Sequence, residues 1–407
     1  MGYITSAGLN RRTVSYLKIV MKCTHREIGT STVFKALFLL TFLLTFTAAA
    51  KTRDPKDGPL RRAVPARINA VGTARNPQDK TVNDFGAFGD GVHDDTSAIQ
   101  RSLNYACLGH DLYIPEGKYL VSALSVCNLP WSSAATGING VRIYGSGPES
   151  IIWNIGTTNG ALQFTSGLVT TAYNDLYLDN FRIHNATSGQ AAFGLQLLNV
   201  AAFGILNVVV EGSDSTTDLV SFAGAQQGYF KGGTLSNGTN AFNLQPVNLK
   251  IGIINSNMID ISSVEIAACV GANGTALALN GQDDGNFTGN HITSCAVGVH
   301  AVNSGDGQYN VMGNHFEPIA PGLSKGQLLV DPGYSSSLLF AGNSIYVYPA
   351  EIAIDAAGLG TKVYANSIDG GIFFREAACK NQFMGNRYYG SLNDASIGLL
   401  KFANDFL

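Results

Sequence analysis

A short run of β-branched or aromatic residues recurs along this chain every 20 to 30 residues, and each run ends near Asn, Gly or Ser. Strands this short cannot bury an apolar face alone. Stacked rungs can, because each strand pairs in parallel with its counterparts above and below. A β-sandwich joins its strands by hairpins and does not normally repeat a small residue or Asn at one offset. The repeat therefore predicts an all-β chain folded as a parallel β-helix.

The residue at the repeated turn has a structural explanation. Asn tolerates the left-handed backbone region, and its side-chain amide can bond to the next Asn along a stack. We therefore interpret the repeated turn residues as a structural ladder, separate from any binding site. The members of the predicted ladder are Asn180, Asn207, Gly233, Ser263, Asn290, Asn314, Asn343, Asn366 and Asn386.

The composition agrees with a β-rich chain that contains many turns. Charged residues make up 14% of the sequence, against roughly 25% in typical soluble domains, and glycine occurs 47 times. The net charge of −3 provides no electrostatic basis for binding nucleic acid. Nucleic acid is therefore not an expected partner, and the sequence contains no signal for an oligomeric state.

The N-terminal region has the features of a secretory signal. Basic residues precede an almost unbroken apolar run, and Ala48 to Ala50 provide the small residues that a signal peptidase accepts. We predict a signal peptide over residues 1–50, a flexible leader over 51–80 and one domain over 81–407. The protein is then secreted and keeps no stable membrane span. An uncleaved anchor is the alternative interpretation, and Met21 is a second candidate start.

The segment VNDFGAFGDGVHDDTSAIQRSLNYAC, residues 82–107, is predicted to cap the first rung. Val82 to Phe85 suits a first strand, and the apolar-periodic run that begins after Asp94 and Asp95 predicts a capped helix. A helix over the open end of a solenoid protects that end from aggregation. The rungs are then expected from about residue 111 to residue 390.

Three pieces of this region resemble the pectate-lyase-like superfamily of rhamnogalacturonase- and epimerase-like proteins, related to polygalacturonases and phage tailspikes. They are DFGAFGDGVHDDTSAIQ, the turn IPEGKY and the strand VRIYGSG, all within residues 82–153. The resemblance implies a right-handed parallel β-helix with an N-terminal capping helix and a carbohydrate substrate. It does not define the reaction, because the family includes lyases, hydrolases and epimerases.

Aspartates recur where the second strand of one rung leads into the first strand of the next. Their spacings of 23, 25 and 24 residues equal the repeat, so we expect them to stack on one edge of the helix. They are Asp283 with Asp284, then Asp306, Asp331 and Asp355.

The segment NGQDDGNF, residues 280–287, resembles the paired-aspartate segment of polygalacturonases. Hydrolysis of a glycosidic bond requires a pair of carboxyls. The other polygalacturonase elements are incomplete, because the one histidine in the following rung lacks flanking glycines and no Arg-Ile-Lys is present. Turn residues that bond to their own backbone are the alternative interpretation of the aspartates. The predicted catalytic residues are Asp283, Asp284, Asp306 and His300.

A second polar group lies near the ends of the first strands. Two of its histidines follow successive ladder asparagines, so we expect them to stack one rung apart, where they can act as acid or base or contact sugar. On an earlier rung, an arginine can clamp a substrate carboxylate. A solvated surface is the alternative. The predicted substrate-binding residues are Arg182, His184, Glu265, His291, His315 and Glu317.

Cysteine usage leaves two interpretations open. Cys269 and Cys295 lie about one repeat apart, so they either bond between rungs or remain buried thiols. Neither a CxxC pair nor a His/Cys zinc spacing is present. We therefore predict no metal ligands and no required cofactor, with Ca²⁺ expected only for a lyase reaction.

The expected function is that of a secreted enzyme that cleaves the glycosidic bonds of an acidic polysaccharide by hydrolysis. Elimination or epimerisation is one alternative. A β-helix that binds glycan without catalysis, or serves as a surface or spike protein, is the other.

Overall fold

The structure, a computed structural model, describes residues 77–406 with short gaps. The gaps are 130–139, 157–159, 167–172, 187–192, 214–215, 250–251, 268, 270, 272, 305–306, 318–320, 322, 335, 349–350, 376–379, 397–398 and 403. The predicted signal peptide and nearly all of the predicted leader therefore lie outside the described residues. Within those residues, no helix has the length and apolar character needed to cross a membrane.

Nearly all described strands belong to three long sheets, and each strand pairs in parallel with its counterparts one rung away. The predicted parallel β-helix is confirmed. The first sheet contains Lys80–Thr81, Asp111–Ile114, Arg142–Gly145, Tyr173–Asp179, Ala201–Leu206, Gln226–Lys231, Asn257–Ser262, Gly285–Thr288, Gln308–Met312, Ser337–Ala341, Thr361–Tyr364, Gln382–Met384 and Leu400–Phe402.

The second sheet follows the first across a short turn in each rung. It contains Asp90–Asp94, Gly117–Val121, Ser150–Asn154, Arg182–Asn185, Val209–Glu211, Thr234–Ser236, Glu265–Ala267, His291–Thr293, His315–Phe316, Ser344–Tyr346, Ser367–Asp369, Arg387–Tyr389 and Asp405–Phe406.

The third sheet closes each rung. It contains Cys127–Asn128, Leu162–Thr165, Phe193–Leu198, Asp218–Ala223, Asn240–Gln245, Thr275–Gln282, Val297–Ser304, Gly326–Val330, Ile352–Ala356, Gly371–Phe374 and Leu392–Asp394. An antiparallel hairpin of Val247–Leu249 and Gly252–Ile254 interrupts the rung order. The described strands extend beyond the predicted rungs in both directions, from Lys80 to Phe406.

Side chains point alternately to the core and to the outer surface along each strand. In the second sheet, Ile183, Val210, Leu235, Ile266 and Ile292 occupy one column of the register and are fully buried. Because successive side chains of a strand point to opposite faces, the residues on either side of this column point outward. The second sheet therefore has an apolar face toward the core and a polar face toward solvent.

The predicted cap differs from the structure at its start. Val82–Phe85 forms a 3₁₀ helix, so the predicted first strand is wrong. The cause is a reciprocal cap: Thr81 N donates to Asp84 Oδ2 at 2.7 Å and Asp84 N donates to Thr81 Oγ1 at 3.2 Å. The predicted helix is present at Thr96–Ala106 and packs against the 3₁₀ helix and against the strands Asp111–Ile114 and Gly117–Val121.

A ladder of hydrogen-bonded asparagines runs through the later rungs. Each side-chain amide donates to Oδ1 of the next Asn at 2.9–3.2 Å. Each amide also donates to a backbone carbonyl of a neighbouring strand, so the buried polar groups are satisfied. The members are Asn290, Asn314, Asn343, Asn366, Asn386 and Asn404.

On the earlier rungs the predicted ladder is wrong. Asn180 and Asn207 occupy the preceding turn position, with φ of 60° and 50°, which Gly289 fills on a later rung with φ of 62°. The ladder position itself is taken there by Phe181 and Val208, which are fully buried. The prediction treated the turn position and the ladder position as one, because Asn suits both a left-handed turn and a hydrogen-bonded ladder.

Among the described cysteines, two disulfides join neighbouring parts of the β-helix. Cys269 bonds to Cys295, so these two cysteines form a disulfide between rungs and are not buried thiols. Cys107, which follows the helix of the cap region, bonds to Cys127 at the start of the third sheet. Both bonds cross-link residues that the rung stacking brings together.

Replacing Asn343 by Ala tests the ladder. The change leaves the Asn314 side-chain amide and the Val311 carbonyl without the partner that Asn343 provides in the buried ladder. Since each buried unsatisfied group costs about 1–3 kcal/mol, we expect the free energy of unfolding to fall by about 2 kcal/mol or more. Urea unfolding followed by circular dichroism measures it, with the exposed Asn393→Ala as the control. Equal losses in the two variants would contradict a stabilising ladder.

Candidate functional site

The outward face of the second sheet brings together a group of side chains on consecutive rungs. Trp153, His184 and Glu211 occupy one column of the register, because Trp153 pairs with His184 and His184 pairs with Glu211. Arg182 lies two residues before His184 and therefore points to the same face. Lys118 reaches this group from the rung before Trp153. We refer to these five residues as the Trp153 cluster.

Trp153 and Glu211 fix the position of the His184 ring. The Trp153 and His184 rings stack with centroids 3.9 Å apart, and Lys118 Nζ lies 3.4 Å from the Trp153 ring centroid. His184 Nδ1 lies 2.9 Å from Glu211 Oε2. Because a carboxylate can only accept, the imidazole donates this hydrogen bond from Nδ1, and Nε2 is then the atom that can accept a proton.

The charges of the Trp153 cluster favour an anionic ligand. Arg182 Nη1 lies 3.7 Å from Glu211 Oε2, and Arg182 Nε is buried without a hydrogen-bond partner. The hydrogen bond from His184 lowers the pKa of Glu211 against the effect of burial, and Arg182 adds to the lowering. With Lys118 and Arg182 cationic and Glu211 ionised, the cluster carries excess positive charge at neutral pH.

A second group, the His291 cluster, lies further along the same face. It consists of Glu265, His291, His315 and Glu317. The predicted stacking of the two histidines is present, with ring centroids 5.3 Å apart and an interplanar angle of 28°. His291 Nδ1 bonds to Glu265 Oε2 at 2.9 Å, and His315 Nε2 bonds to Glu317 Oε1 at 3.0 Å. All four predicted residues are therefore brought together.

The carboxylates of this cluster favour the charged form of His291. Burial acts to lower the pKa of His291, but the hydrogen bond to Glu265 and the contact with Glu317 outweigh it, so the pKa of His291 is raised. The pKa of Glu317 is lowered, first by the hydrogen bond to His315 and then by that to His291. The four side chains thus form a mutually stabilised network.

The paired aspartates serve the turn in which they lie. Asp284 Oδ1 accepts a hydrogen bond from Gln308 N of the next rung at 2.7 Å. Asp283 Oδ1 accepts from the side chain of Asn255 at 2.9 Å. Both contacts reach other rungs, whereas the alternative interpretation has turn residues that bond to their own backbone. Asp306 lies outside the described residues.

The predicted stacking is wrong for Asp331 and Asp355. In the third sheet Asp355 pairs with Leu329, two residues before Asp331, so the two aspartates belong to different columns. Register shifts also interrupt the strand that precedes Asp283. Residues that are equally spaced in the sequence therefore need not share a column, because turn lengths differ and bulges shift the register.

His300 belongs to another part of the surface. It lies on the third-sheet strand Val297–Ser304, and its Nε2 lies 3.2 Å from Asp331 Oδ1. Its register partners are Ala278 and Leu329. Among the described contacts, none joins His300 to the paired aspartates with which it was grouped.

Around the corner on the first sheet lies a further group of polar side chains. Arg142 packs over the Tyr144 ring at 4.1 Å and lies 3.8 Å from Asp179. Burial raises the pKa of Asp179, and Arg142 opposes the rise. Burial also raises the pKa of Tyr229 to about 12, and its buried hydroxyl makes no hydrogen bond. The tyrosine therefore stays protonated beside a partly buried carboxyl.

The sequence identified Arg182 and His184 but missed Lys118 and Trp153 as their partners. Lys118 and Trp153 lie on strands of the region that resembles the known family. The functional features of the sequence in that region indicate only the cap. Strand register identifies these partners. When the strand of Trp153 is paired with that of His184, the two rings lie one rung apart.

Comparison with known proteins places this chain in context. Residues 80–147 match the family model described as Rhamnogalacturonase A/epimerase, pectate lyase-like. The predicted resemblance is confirmed. The matched segment contains the cap region and Lys118, whereas the rest of the Trp153 cluster lies beyond it.

Curated relatives match only part of the chain. Mannuronan C5-epimerase AlgE2 of Azotobacter vinelandii is 37% identical over 123 residues, which is 28% of this chain and 12% of the relative. Plasmin and fibronectin-binding protein A of Streptococcus pneumoniae is 33% identical over 159 residues, which is 37% of this chain and 21% of the relative. This chain therefore spans a small fraction of the length of the relatives it matches.

Solved structures support the fold alone. ORF18 of Geobacillus virus E2 has a TM-score of 0.54 at 16% identity, covering 80% of this chain and 61% of that one. PfbA, a surface adhesin of Streptococcus pneumoniae, has a TM-score of 0.53 at 16% identity, covering 81% of this chain and 91% of that one. The proteins to which this chain is similar thus include one named as a mannuronan C5-epimerase and one named as a surface adhesin.

The ion pair of Glu211 predicts a pH-dependent stability. Because its pKa in the folded protein is lowered from 4.5, ionised Glu211 stabilises the fold above that pH, and this contribution is lost as the pH falls through the folded-state pKa. We expect the difference in free energy of unfolding between the native protein and Glu211→Gln to shrink below pH 4.5. Chemical denaturation between neutral and acidic pH measures it, with the exposed Glu116→Gln as the control. A difference that does not change with pH would contradict the ion pair.

Proposed function

We propose that this protein acts on an acidic polysaccharide by removing the proton beside the carboxylate of a uronate residue, with epimerisation as the outcome. The observation that carries the proposal is the His184–Glu211 pair, held against Trp153 and flanked by two cations. An imidazole oriented by a carboxylate is the arrangement of a general base. The relatives named as mannuronan C5-epimerases support a uronate substrate.

Each member of the Trp153 cluster has a role in this proposal. Arg182 and Lys118 bind the substrate carboxylate. His184 Nε2 takes the proton from the neighbouring carbon, and the electron pair of the broken C–H bond moves into the carboxylate, where the cations stabilise the added charge. Glu211 stabilises the imidazolium that forms. A water molecule then donates a proton to the opposite face of the carbon, which gives the epimer, and the hydroxide left behind takes the proton from the His184 imidazolium through solvent.

Hydrolysis by the paired aspartates has less support than it had from the sequence. Hydrolysis needs one carboxyl as acid and another as base or nucleophile. Asp284 instead accepts a backbone hydrogen bond from the next rung and Asp283 one from a neighbouring side chain. We therefore assign the proposed chemistry to the second sheet and leave the aspartates a structural role.

We further propose that the protein works outside the cytoplasm. Disulfides persist in oxidising compartments, and the described cysteines form two of them. The signal peptide predicted over residues 1–50 agrees with export, and polymeric uronates are substrates met outside the cell membrane.

The reaction is tested by incubating the protein with polymannuronate, polygalacturonate and other acidic glycans in D₂O. Proton NMR is expected to show deuterium replacing hydrogen beside the carboxylate, with a change of configuration. His184→Ala should lower the rate by about 10²–10⁴-fold, as expected for loss of a general base, and His110→Ala, a change in an exposed histidine, should not.

Other products would identify the alternative functions. An unsaturated sugar end absorbing in the ultraviolet would replace epimerisation by elimination at the same base. New reducing ends that are lost in Asp283→Asn would contradict the proposal and restore the hydrolase. Glycan binding without any product would favour the adhesin-like alternative, which the relationship to plasmin and fibronectin-binding protein A supports.

A further inference from the structure

The His291 cluster has a geometry that the proposed proton transfer does not use. It lies on the same outward face as the Trp153 cluster, but four rungs further from Arg182, which is about 19 Å along the helix axis at the usual strand spacing. One atom each from His291, His315 and Glu317 lies within 4.8 Å of the others. Two imidazoles and one carboxylate are thus focused on a single point.

Distances within this triad resemble the edges of a metal coordination sphere. His315 Nε2 lies 3.0 Å and His291 Nε2 lies 3.4 Å from the same oxygen, Glu317 Oε1. A tetrahedral zinc ion with bonds of about 2.0–2.1 Å holds its ligand atoms about 3.3 Å apart. Little movement of these side chains is therefore needed to admit an ion between them.

Glu265 completes the arrangement from the preceding rung. It holds Nδ1 of His291 at 2.9 Å, so the ring presents Nε2 toward Glu317. A carboxylate on the far nitrogen of a metal-bound histidine is the usual outer partner in such sites, where it fixes the tautomer and the ring orientation. The side chains of His291, His315 and Glu317 are 42–46% exposed, which leaves them open to ions from solution.

We propose that His291, His315 and Glu317 form a binding site for a divalent transition-metal ion, zinc above all, with Glu265 as the outer partner of His291. Neutral imidazole and carboxylate are the ligands of three-residue zinc sites. The ion takes the place of the protons between the histidine Nε2 atoms and Glu317, whereas the Nδ1 proton that His291 donates to Glu265 stays in place. Three protein ligands leave a fourth position open to water or to an oxygen of a bound sugar.

This proposal departs from the sequence-based prediction that no metal ligands are present. That prediction relied on short-range His/Cys spacing, whereas His291 and His315 are 24 residues apart and meet only through the register of the second sheet. Stacking of the rungs brings the two histidines together, as a short sequence motif does in other metal sites.

Isothermal titration with Zn²⁺ alone tests the site, using the purified protein after treatment with a chelator. We expect saturable binding of one ion per chain, weakened at least about tenfold in His315→Ala and in Glu317→Gln. Glu265→Gln should weaken binding by about 10–100-fold, as for other outer partners. His110→Ala removes an exposed histidine elsewhere and should leave the affinity unchanged.

Two results would overturn the proposal. One is the absence of saturable Zn²⁺ binding by the native protein. The other is an affinity in His315→Ala and Glu317→Gln equal to that of the native protein while their circular dichroism spectra stay native. Because the epimerisation assay depends on His184 and this titration does not, failure of either proposal is distinguishable from failure of the other.

Discussion

Parallel hydrogen bonding between rungs is the constraint on which the rest of this structure depends. It spaces equivalent strand positions about 4.8 Å apart and fixes which residues share a column. A column of aliphatic residues then forms the core, a column of asparagines forms a buried ladder, and outward columns form the two ionisable clusters. Residues that lie 20 or more positions apart in sequence become neighbours by this stacking alone.

The fold was predictable because its signal is repetitive. Each rung repeats the alternation of apolar and polar residues and ends at a turn residue, so errors at one rung do not change the conclusion. The ladder shows the limit of a prediction from residue types. Asn180 and Asn290 look alike in sequence, yet Asn180 occupies the turn position of its rung and Asn290 the ladder position that follows it. A pattern of residue types does not determine register to one position.

The candidate site was predictable only in part, and for the same reason. His291 and His315 were grouped correctly because both follow ladder asparagines that are in register. Asp331 and Asp355 were grouped incorrectly because a regular spacing concealed a shift of two residues. Lys118 and Trp153 went unnoticed because nothing in the sequence marks them as neighbours of His184 before the strands are aligned.

The second sheet therefore carries both ionisable clusters. Its outward side carries a cationic group around an oriented histidine and, four rungs away, a group of histidines and glutamates suited to a metal ion. The third sheet presents His300 and the acids of its turns in structural contacts instead. A polymeric substrate that runs along the helix axis would meet both groups of the second sheet in succession.

The most direct test of this account is a crystal structure of the His184→Ala protein with a bound uronate oligosaccharide. The account predicts that a sugar carboxylate lies against Arg182 and Lys118, with the neighbouring carbon facing position 184. An oligosaccharide bound across the turn of Asp283 and Asp284, away from the second sheet, would contradict it.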